Sequence, residues 1–239
     1  MRKKLGIVIP AANEQDSIKD FCDDLIKNIN KLEMDVSIFF VIDKVSKDKT
    51  QVMLESITKK NRQINVIYEA KNRNVVDAYV KGYKEALNKK CDFIIEMDCG
   101  FSHLPSELYK FVEGFNEGYD CVLGIRPLWS LSYKVPFNRR IYSLGGTMLA
   151  NLLLGTKCKD MTSGFEGFTR KAAQQVIDKR LKSTGHFFQT EIRFRARKLY
   201  TKEVYINYSF PSSNVRTSSI INSFSTLFVL VTNRFRDNS

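Results

Sequence analysis

The feature that most constrains this chain is a rhythm in its first 126 residues. Five short apolar runs, over 5–9, 36–42, 64–68, 93–97 and 119–123, alternate with segments of helical spacing. Each run is hydrophobic at nearly every position, as a strand covered on both faces must be. Between the first two, Ile18, Phe21, Cys22, Leu25, Ile26, Ile29 and Leu32 recur every three or four residues, with Asp16 or Ser17 available as N-cap. A second helix runs through Ile57. Val75, Val76, Tyr79, Tyr83, Ala86 and Leu87 mark a third over 74–87, and Pro105 can open a fourth over 105–117. Strand and helix alternating with short connections predict an α/β fold, with a parallel sheet, right-handed crossovers and helices on both faces.

Open sheets of this kind bind their ligands beyond the carboxyl ends of the strands. The residues expected there are Pro10 with Asn13 and Glu14, then Asp43 with Ser46, then Asp98, then Arg126. Asp98 closes the run Phe93-Ile94-Ile95-Glu96-Met97-Asp98 and is followed by Cys99-Gly100-Phe101-Ser102-His103. A hard divalent cation prefers oxygen ligands, so Asp98 is the candidate metal ligand, against a plain Asp–Gly strand exit. For Asp43 the alternative is a helix N-cap.

After Arg126 the rhythm breaks. A linker with Pro127, Trp129 and Pro136 precedes a helix over 138–154, then the loop Lys159-Asp160-Met161-Thr162-Ser163-Gly164-Phe165. A helix near 170–181, a basic helix over 190–200, a strand over 203–210, a Ser/Asn/Arg segment and an amphipathic stretch over 220–235 complete the reading.

Charge divides the chain at the same place. Residues 1–133 carry 20 basic and 20 acidic side chains, whereas 134–239 carry 18 and 6, which is the whole net charge of +12. The second half therefore suits an anionic partner, such as a membrane surface or a lipid phosphate, against a solvated lysine-rich face. Nucleic acid is not expected, because the basic residues are not interleaved with an aromatic platform and no DNA-binding motif appears. Five cysteines without CxxC spacing read as small buried hydrophobes of a reducing compartment. The N-terminus has no secretory apolar region, and no run of about 18 apolar residues predicts a membrane span.

The motifs, in order, resemble glycosyltransferase family 2, and within it the polyprenyl-phosphate (dolichyl-phosphate) mannosyl- and glucosyltransferase type. Those motifs are Ile7-Val8-Ile9-Pro10 with Asn13-Glu14; Asp43 with Ser46, Asp48 and Thr50; Ala78-Tyr79 and Gly82; Met97-Asp98 with Ser102-His103 and Pro105; Gly124 and Arg126; Asp160 to Phe165; and Phe188-Gln189-Thr190-Glu191. The resemblance implies a glycosyltransferase-A, Rossmann-like fold in one domain over 1–239, with a nucleotide-sugar half (1–126) and an acceptor half (127–239). It implies inverting transfer from a GDP- or UDP-linked sugar to a polyprenyl phosphate or related lipid-linked acceptor, by an enzyme peripheral to the cytoplasmic membrane face. Pro10, Asn13, Glu14, Asp43, Ser46, Asp98 and Arg126 would contact the donor, Asp98 would hold Mg2+ or Mn2+, and Asp160, Gln189 and Glu191 would be catalytic. The alternatives are a glycan hydroxyl acceptor, as in capsule or O-antigen synthesis, and a nucleotide-sugar-binding protein that has lost catalysis.

The chain departs from that pattern in places. The family's Asp-x-Asp reads Asp98-Cys99-Gly100, so a second carboxylate is missing and the cation is expected to be weakly held; Glu96, Ser102 and His103 are the nearby substitutes. Lys44 stands where a second Asp is usual, which opens the choice of nucleotide, and Glu166 stands where Arg is common. His103 is read as a turn residue and His186 as a packing residue. Glu191 can instead pair with Arg195 one helical turn on, and Asp160 can instead form a turn through its own backbone.

Overall fold

The computed structural model describes residues 2–42, 44–71, 74–130, 137–208 and 217–236. Asp43 and most of the segments 127–136 and 211–219 lie outside the described residues. Among the described residues, seven strands, β1 (Lys4–Pro10), β2 (Asp35–Ile42), β3 (Ile64–Tyr68), β4 (Phe93–Glu96), β5 (Cys121–Ile125), β6 (Glu166–Thr169) and β7 (Thr201–Tyr205), form one sheet in the order β3-β2-β1-β4-β6-β5-β7. β6 is antiparallel to both neighbours, and the other six strands run together. The helices are α1 (Ile18–Ile29), α2 (Thr50–Thr58), α3 (Val75–Asn88), α4 (Leu108–Asn116), α5 (Phe137–Leu154), α6 (Arg170–Ile177), α7 (Phe188–Arg195) and α8 (Thr217–Arg236).

Strand alternation divides the core between two faces. Leu5, Ile7, Ile9, Ile38, Phe40, Ile42 and Ile95 pack with Ile18, Phe21 and Leu25 of α1, Leu54 of α2, and Phe111 and Phe115 of α4. Val8, Phe39, Ile94 and Leu123 point the other way, against Tyr79 and Tyr83 of α3, Val176 of α6, and Phe188 and Ile192 of α7. Each such buried side chain is worth about 1.5–3 kcal/mol. A Cβ at Gly82 would lie 2.2 Å from Val8 Cγ1, so α3 crosses β1 at a distance only glycine allows. Ala150 and Leu154 of α5, Leu227 and Leu230 of α8, Met161 and Phe194 form a third cluster.

The first four strands and helices fall where the sequence places them. The fifth strand starts two residues later than expected, because Gly118 (φ +92) ends α4 and the Tyr119 amide bonds back to the Gly114 carbonyl. α7 runs two residues ahead of the expected basic helix and ends five residues short of it, and β7 starts two residues before the expected strand and ends at Tyr205. Ser17 occupies the N-cap of α1, but its hydroxyl donates to Glu14 Oε2 instead of capping. The sequence assigns no element to 166–169, between the 159–165 loop and the helix near 170, and the structure makes it β6. The chain reaches it from the carboxyl edge, where Asp160 is tied to Arg126, and can only enter the sheet running backwards.

Candidate active site

The loops beyond β1 and β2 are stitched into one wall. Asn13 takes a left-handed backbone (φ 60), which Asn tolerates. Its Nδ2 donates to the Val45 carbonyl at 3.2 Å, its Oδ1 accepts from the Lys47 amide at 2.9 Å, and its own amide donates to Ser46 Oγ at 3.2 Å. The Glu14 amide donates to Thr50 Oγ1 at 2.7 Å and the Gln15 amide to Asp48 Oδ2 at 2.9 Å.

Asp98 lies two residues past β4. Its Oδ1 accepts from the Tyr79 hydroxyl at 2.6 Å, and its backbone amide donates to His103 Nδ1 at 2.9 Å. Burial lowers the His103 pKa, against the upward pull of Asp98, and keeps the ring neutral with its proton on Nε2. His103 stacks on Phe165; the sequence suggests a turn residue there, but the backbone instead forms an antiparallel bridge with Tyr208 and buries the ring. The Asp98 side chain stays 38% exposed. Gly100 has φ +77, and a Cβ there would lie 2.8 Å from Glu14 Oε2. Burial raises the Glu14 pKa; the Ser17 hydroxyl opposes this, and the Asp98 charge adds to it.

Glu96 plays a different part. It is fully buried and faces Glu166 across the β4–β6 ladder. Burial and the Glu166 charge raise its pKa well above the carboxylate range, so it belongs to the protonated floor beneath the site. Among the described residues, no group of three or more His, Cys, Asp or Glu converges on one point. A magnesium or manganese ion that also takes phosphate oxygens needs only one or two carboxylates. Asp98 fits that requirement, and Glu14 sits in the cradle that a side chain at position 100 would fill.

On the other side of the edge, Arg126 grips Asp160. Nε reaches Oδ2 at 2.7 Å and Nη2 reaches Oδ1 at 2.9 Å; the Arg126 amide also donates to Oδ2 at 3.1 Å. Thr162 gives its amide and hydroxyl to Asp160 Oδ1, both at 3.0 Å, and the Arg126 guanidinium lies over the Tyr208 ring. Burial alone would raise the Asp160 pKa, but Arg126, Arg193 and the Thr162 amide bring it to about 2.

Arg193, also buried, ties the loop to the sheet. Nε donates to Glu166 Oε1 at 2.7 Å, and Nη2 to the Gly124 and Ser163 carbonyls at 3.0 Å each. A further contact reaches the Asp160 carbonyl. α5 holds the same loop from outside: Thr147 Oγ1 accepts from the Met161 amide at 3.0 Å, and Asn151 Nδ2 donates to the Cys158 carbonyl at 2.8 Å.

Glu191 faces elsewhere. Oε2 accepts the Lys182 and Ser183 amides at 3.0 and 2.9 Å, and Oε1 accepts from Arg195 at 2.7 Å. Glu191 thus braces the wall of a cleft of about 290 Å3 between α3 and the 177–184 segment. Gln189 is nearly buried against Gly164, where a Cβ would meet its Nε2 at 2.1 Å. The fold therefore brings Pro10, Asn13, Glu14, Ser46, Asp98 and Arg126 to one sheet edge and joins Arg126 to Asp160, while the Glu191 carboxylate turns away from that pair. Sequence reasoning passed over Tyr79 as the partner of Asp98 and Arg193 as the clamp of the loop. Tyr79 was visible as an apolar position of its helix and as part of the Ala78-Tyr79 motif, neither of which points to a bond with Asp98.

A partly exposed carboxylate and stitched loops beyond the strand ends of a mostly parallel sheet are the layout of a ligand-binding α/β fold. The sequence model described as Glycosyl transferase family 2 matches residues 6–177, and the chain belongs to that family; it is a glycosyltransferase of the glycosyltransferase-A fold. It is 24% identical over 171 residues to an undecaprenyl-phosphate mannosyltransferase of Micrococcus luteus, covering 71% of this chain and 70% of that one. It is 23% identical to a polyprenol monophosphomannose synthase of Mycolicibacterium smegmatis (80% and 71%). A third relative is a UDP-N-acetylglucosamine–dolichyl-phosphate N-acetylglucosaminyltransferase of Methanococcus voltae, 24% identical over 228 residues (87% and 88%). Glucosyl-3-phosphoglycerate synthase from Mycobacterium tuberculosis, solved with Mn2+, UDP and phosphoglyceric acid, shares the fold at a TM-score of 0.66 and 15% identity, over 98% of this chain and 78% of that one.

Proposed function

We propose that this glycosyltransferase moves a sugar, with inversion, from a nucleoside diphosphate onto a polyprenyl phosphate at a membrane surface. The observation that carries the reading is the commitment of both acceptor-side carboxylates. Asp160 is clamped by Arg126 with its pKa near 2, and Glu191 is spent on the Lys182 and Ser183 amides and Arg195. Asp160 is held far below the near-neutral pKa that an efficient general base needs, and the Glu191 oxygens already accept from two backbone amides and a guanidinium. A hydroxyl acceptor requires such a base, whereas a phosphate arrives ionised. The names of the three relatives, built on undecaprenyl phosphate, polyprenol and dolichyl phosphate, support the same acceptor class.

The chain's residues divide the work. The stitched loops beyond β1 and β2, with Pro10, Asn13, Glu14 and Ser46, form the donor wall. Tyr79 orients the Asp98 carboxylate toward the diphosphate. A divalent cation, when bound, neutralises charge building on the leaving phosphates. Arg126, its charge balanced by Asp160, offers an oriented guanidinium dipole at the edge where phosphates meet. Gln189 and Glu191 shape the acceptor-side wall. A single displacement by the acceptor phosphate oxygen inverts the anomeric carbon.

α5 and α8 support the membrane surface. Among the described residues no helix is long and apolar enough to cross a membrane. Yet Phe137, Ile141, Tyr142, Met148 and Leu152 of α5, and Phe224, Phe228 and Phe235 of α8, are exposed. An interfacial helix pair gains affinity from buried apolar area and from basic residues near anionic lipid. α5 is also the helix that grips the Asp160 loop, so the lipid-facing surface backs the acceptor site. The test incubates the protein with UDP- and GDP-sugars, with and without Mn2+, and offers undecaprenyl phosphate in anionic liposomes alongside a glycan acceptor. Sugar appearing as an acid-labile polyprenyl-phosphate product supports the reading. Transfer to glycan hydroxyls alone overturns the acceptor, and nucleotide-sugar binding without turnover overturns catalysis.

A further inference from the structure

We infer that Glu14 replaces the missing second carboxylate of the metal motif and, with Asp98, ligates the divalent cation that the donor diphosphate brings. The inference deepens the glycosyltransferase reading and rests on it for the diphosphate.

In the family resemblance two carboxylates two residues apart face the leaving group, and here the second position is Gly100. The space that a side chain at 100 would enter is already filled. Its Cβ would stand 2.8 Å from Glu14 Oε2 and 3.4 Å from both Cδ and Oε1, so the arriving group would meet a carboxylate head. Glycine at 100, with φ +77, is the residue that leaves this room. The carboxylate comes from the loop after β1, and β1 is the sheet neighbour of β4, so both acids leave adjacent strands at one edge.

Glu14 is also held in place. Its amide is pinned to Thr50 Oγ1 at 2.7 Å, its carbonyl accepts the Ser17 and Ile18 amides at 3.0 and 2.8 Å, and its Oε2 accepts the Ser17 hydroxyl at 2.9 Å. Asp98 is oriented in turn by Tyr79 at 2.6 Å. Two oriented carboxylates plus diphosphate oxygens match the sparse protein ligation that magnesium and manganese sites use. The motif is thus complete in space although it is broken in sequence.

The experiment measures Mn2+ binding by the loss of the free-ion paramagnetic resonance signal, with Mn2+ alone and with Mn2+ plus UDP or GDP. It compares the full chain with Glu14→Gln, Glu14→Ala, Asp98→Asn and the double variant Glu14→Ala/Gly100→Asp, each checked for its melting temperature. Glu14→Gln is expected to weaken Mn2+ by about tenfold or more, as loss of an anchoring group does. Gly100→Asp in the Glu14→Ala background should restore most of the loss seen in Glu14→Ala, since Asp tolerates the left-handed backbone and its carboxylate enters the space the shortened side chain vacates. Mn2+ should also broaden the side-chain carboxyl resonance of 13C-labelled Glu14 in the unaltered protein as strongly as that of Asp98, a readout that needs no variant to fold. Unchanged Mn2+ affinity in a folded Glu14→Gln variant, or an unbroadened Glu14 resonance, overturns the assignment. Failure of the unaltered chain to bind UDP or GDP in any condition would instead locate the fault in the donor-site reading.

Discussion

At the scale of single residues, two aspartates at one sheet edge live under opposite physics. Asp98 is partly exposed and held by one hydroxyl, so Asp98→Asn should leave the melting temperature within about 1 °C while turnover of nucleotide sugar falls by about a hundredfold or more. Tyr79→Phe should cost less, about tenfold, by freeing the carboxylate to rotate. Asp160 is fully buried with Arg126. Its folded pKa, about 2, lies below the ordinary 3.8, so its stabilisation is complete above about pH 4 and is lost as the pH falls toward 2. That linkage is on the order of 2 kcal/mol. Urea melts of the parent and Asp160→Asn should differ most at neutral pH, by about 3 kcal/mol because Arg126 loses its partner, and converge in acid. Equal stabilities at pH 7 would remove the clamp from the argument. No reading of the sequence could separate these two aspartates, since burial and partner are set by segments far apart in the chain.

At the scale of elements, legibility depends on how each piece earns its place. The first four strand–helix units write their burial into local periodicity, so they could be read. β6 could not. It has four residues, including Gly167 and the buried Glu166, and owes its existence to the ladders on either side. Its acid is tolerated because Arg193 arrives from α7. The unusual Glu166 noted in the sequence is therefore half of a pair whose other half looks like an ordinary position in a basic helix. Arg193→Met should destabilise by about 3–5 kcal/mol by stranding a buried carboxyl. Burial pushes the Glu166 pKa up to about 7 despite Arg193, so the folded state binds a proton the unfolded chain has released. The Glu166 contribution to stability must then fall as the pH climbs from about 4.5 to about 7. In Glu166→Gln, chemical denaturation across that window should show a flatter dependence; an unchanged slope would sink this account.

At the scale of the whole molecule, the sequence displayed the charge asymmetry but not the surface that uses it. The amphipathic stretch near the end was visible, whereas its pairing with α5, and the hold of α5 on the Asp160 loop, needed the fold. Phe224→Ser with Phe228→Ser should leave the melting temperature nearly unchanged, since both rings are exposed, and should weaken flotation with anionic liposomes. Binding by the parent should rise with anionic lipid and fall with salt. Indifference of the parent to such liposomes would detach α8 from the membrane and favour a contact between proteins.

The reversed strand also dictates an order of assembly. β3, β2, β1 and β4 pair among themselves and are complete once residue 96 has emerged. β5 follows within thirty residues but has no place beside β4, because that slot belongs to β6, which ends at residue 169. β5 and β7 can dock only after β6 has been laid down. A growing chain must therefore keep β5 waiting, with both edges unpaired and prone to wrong partners, while about forty more residues are made. In refolding followed by pulsed hydrogen exchange, the amides of β1, β2 and β4 should gain protection together and those of β5 and β7 in a later phase. The donor wall would thus exist as a folded platform before the acceptor half is built onto it, and the last strand pairs to form are the ones that bring Arg126 and Asp160 together.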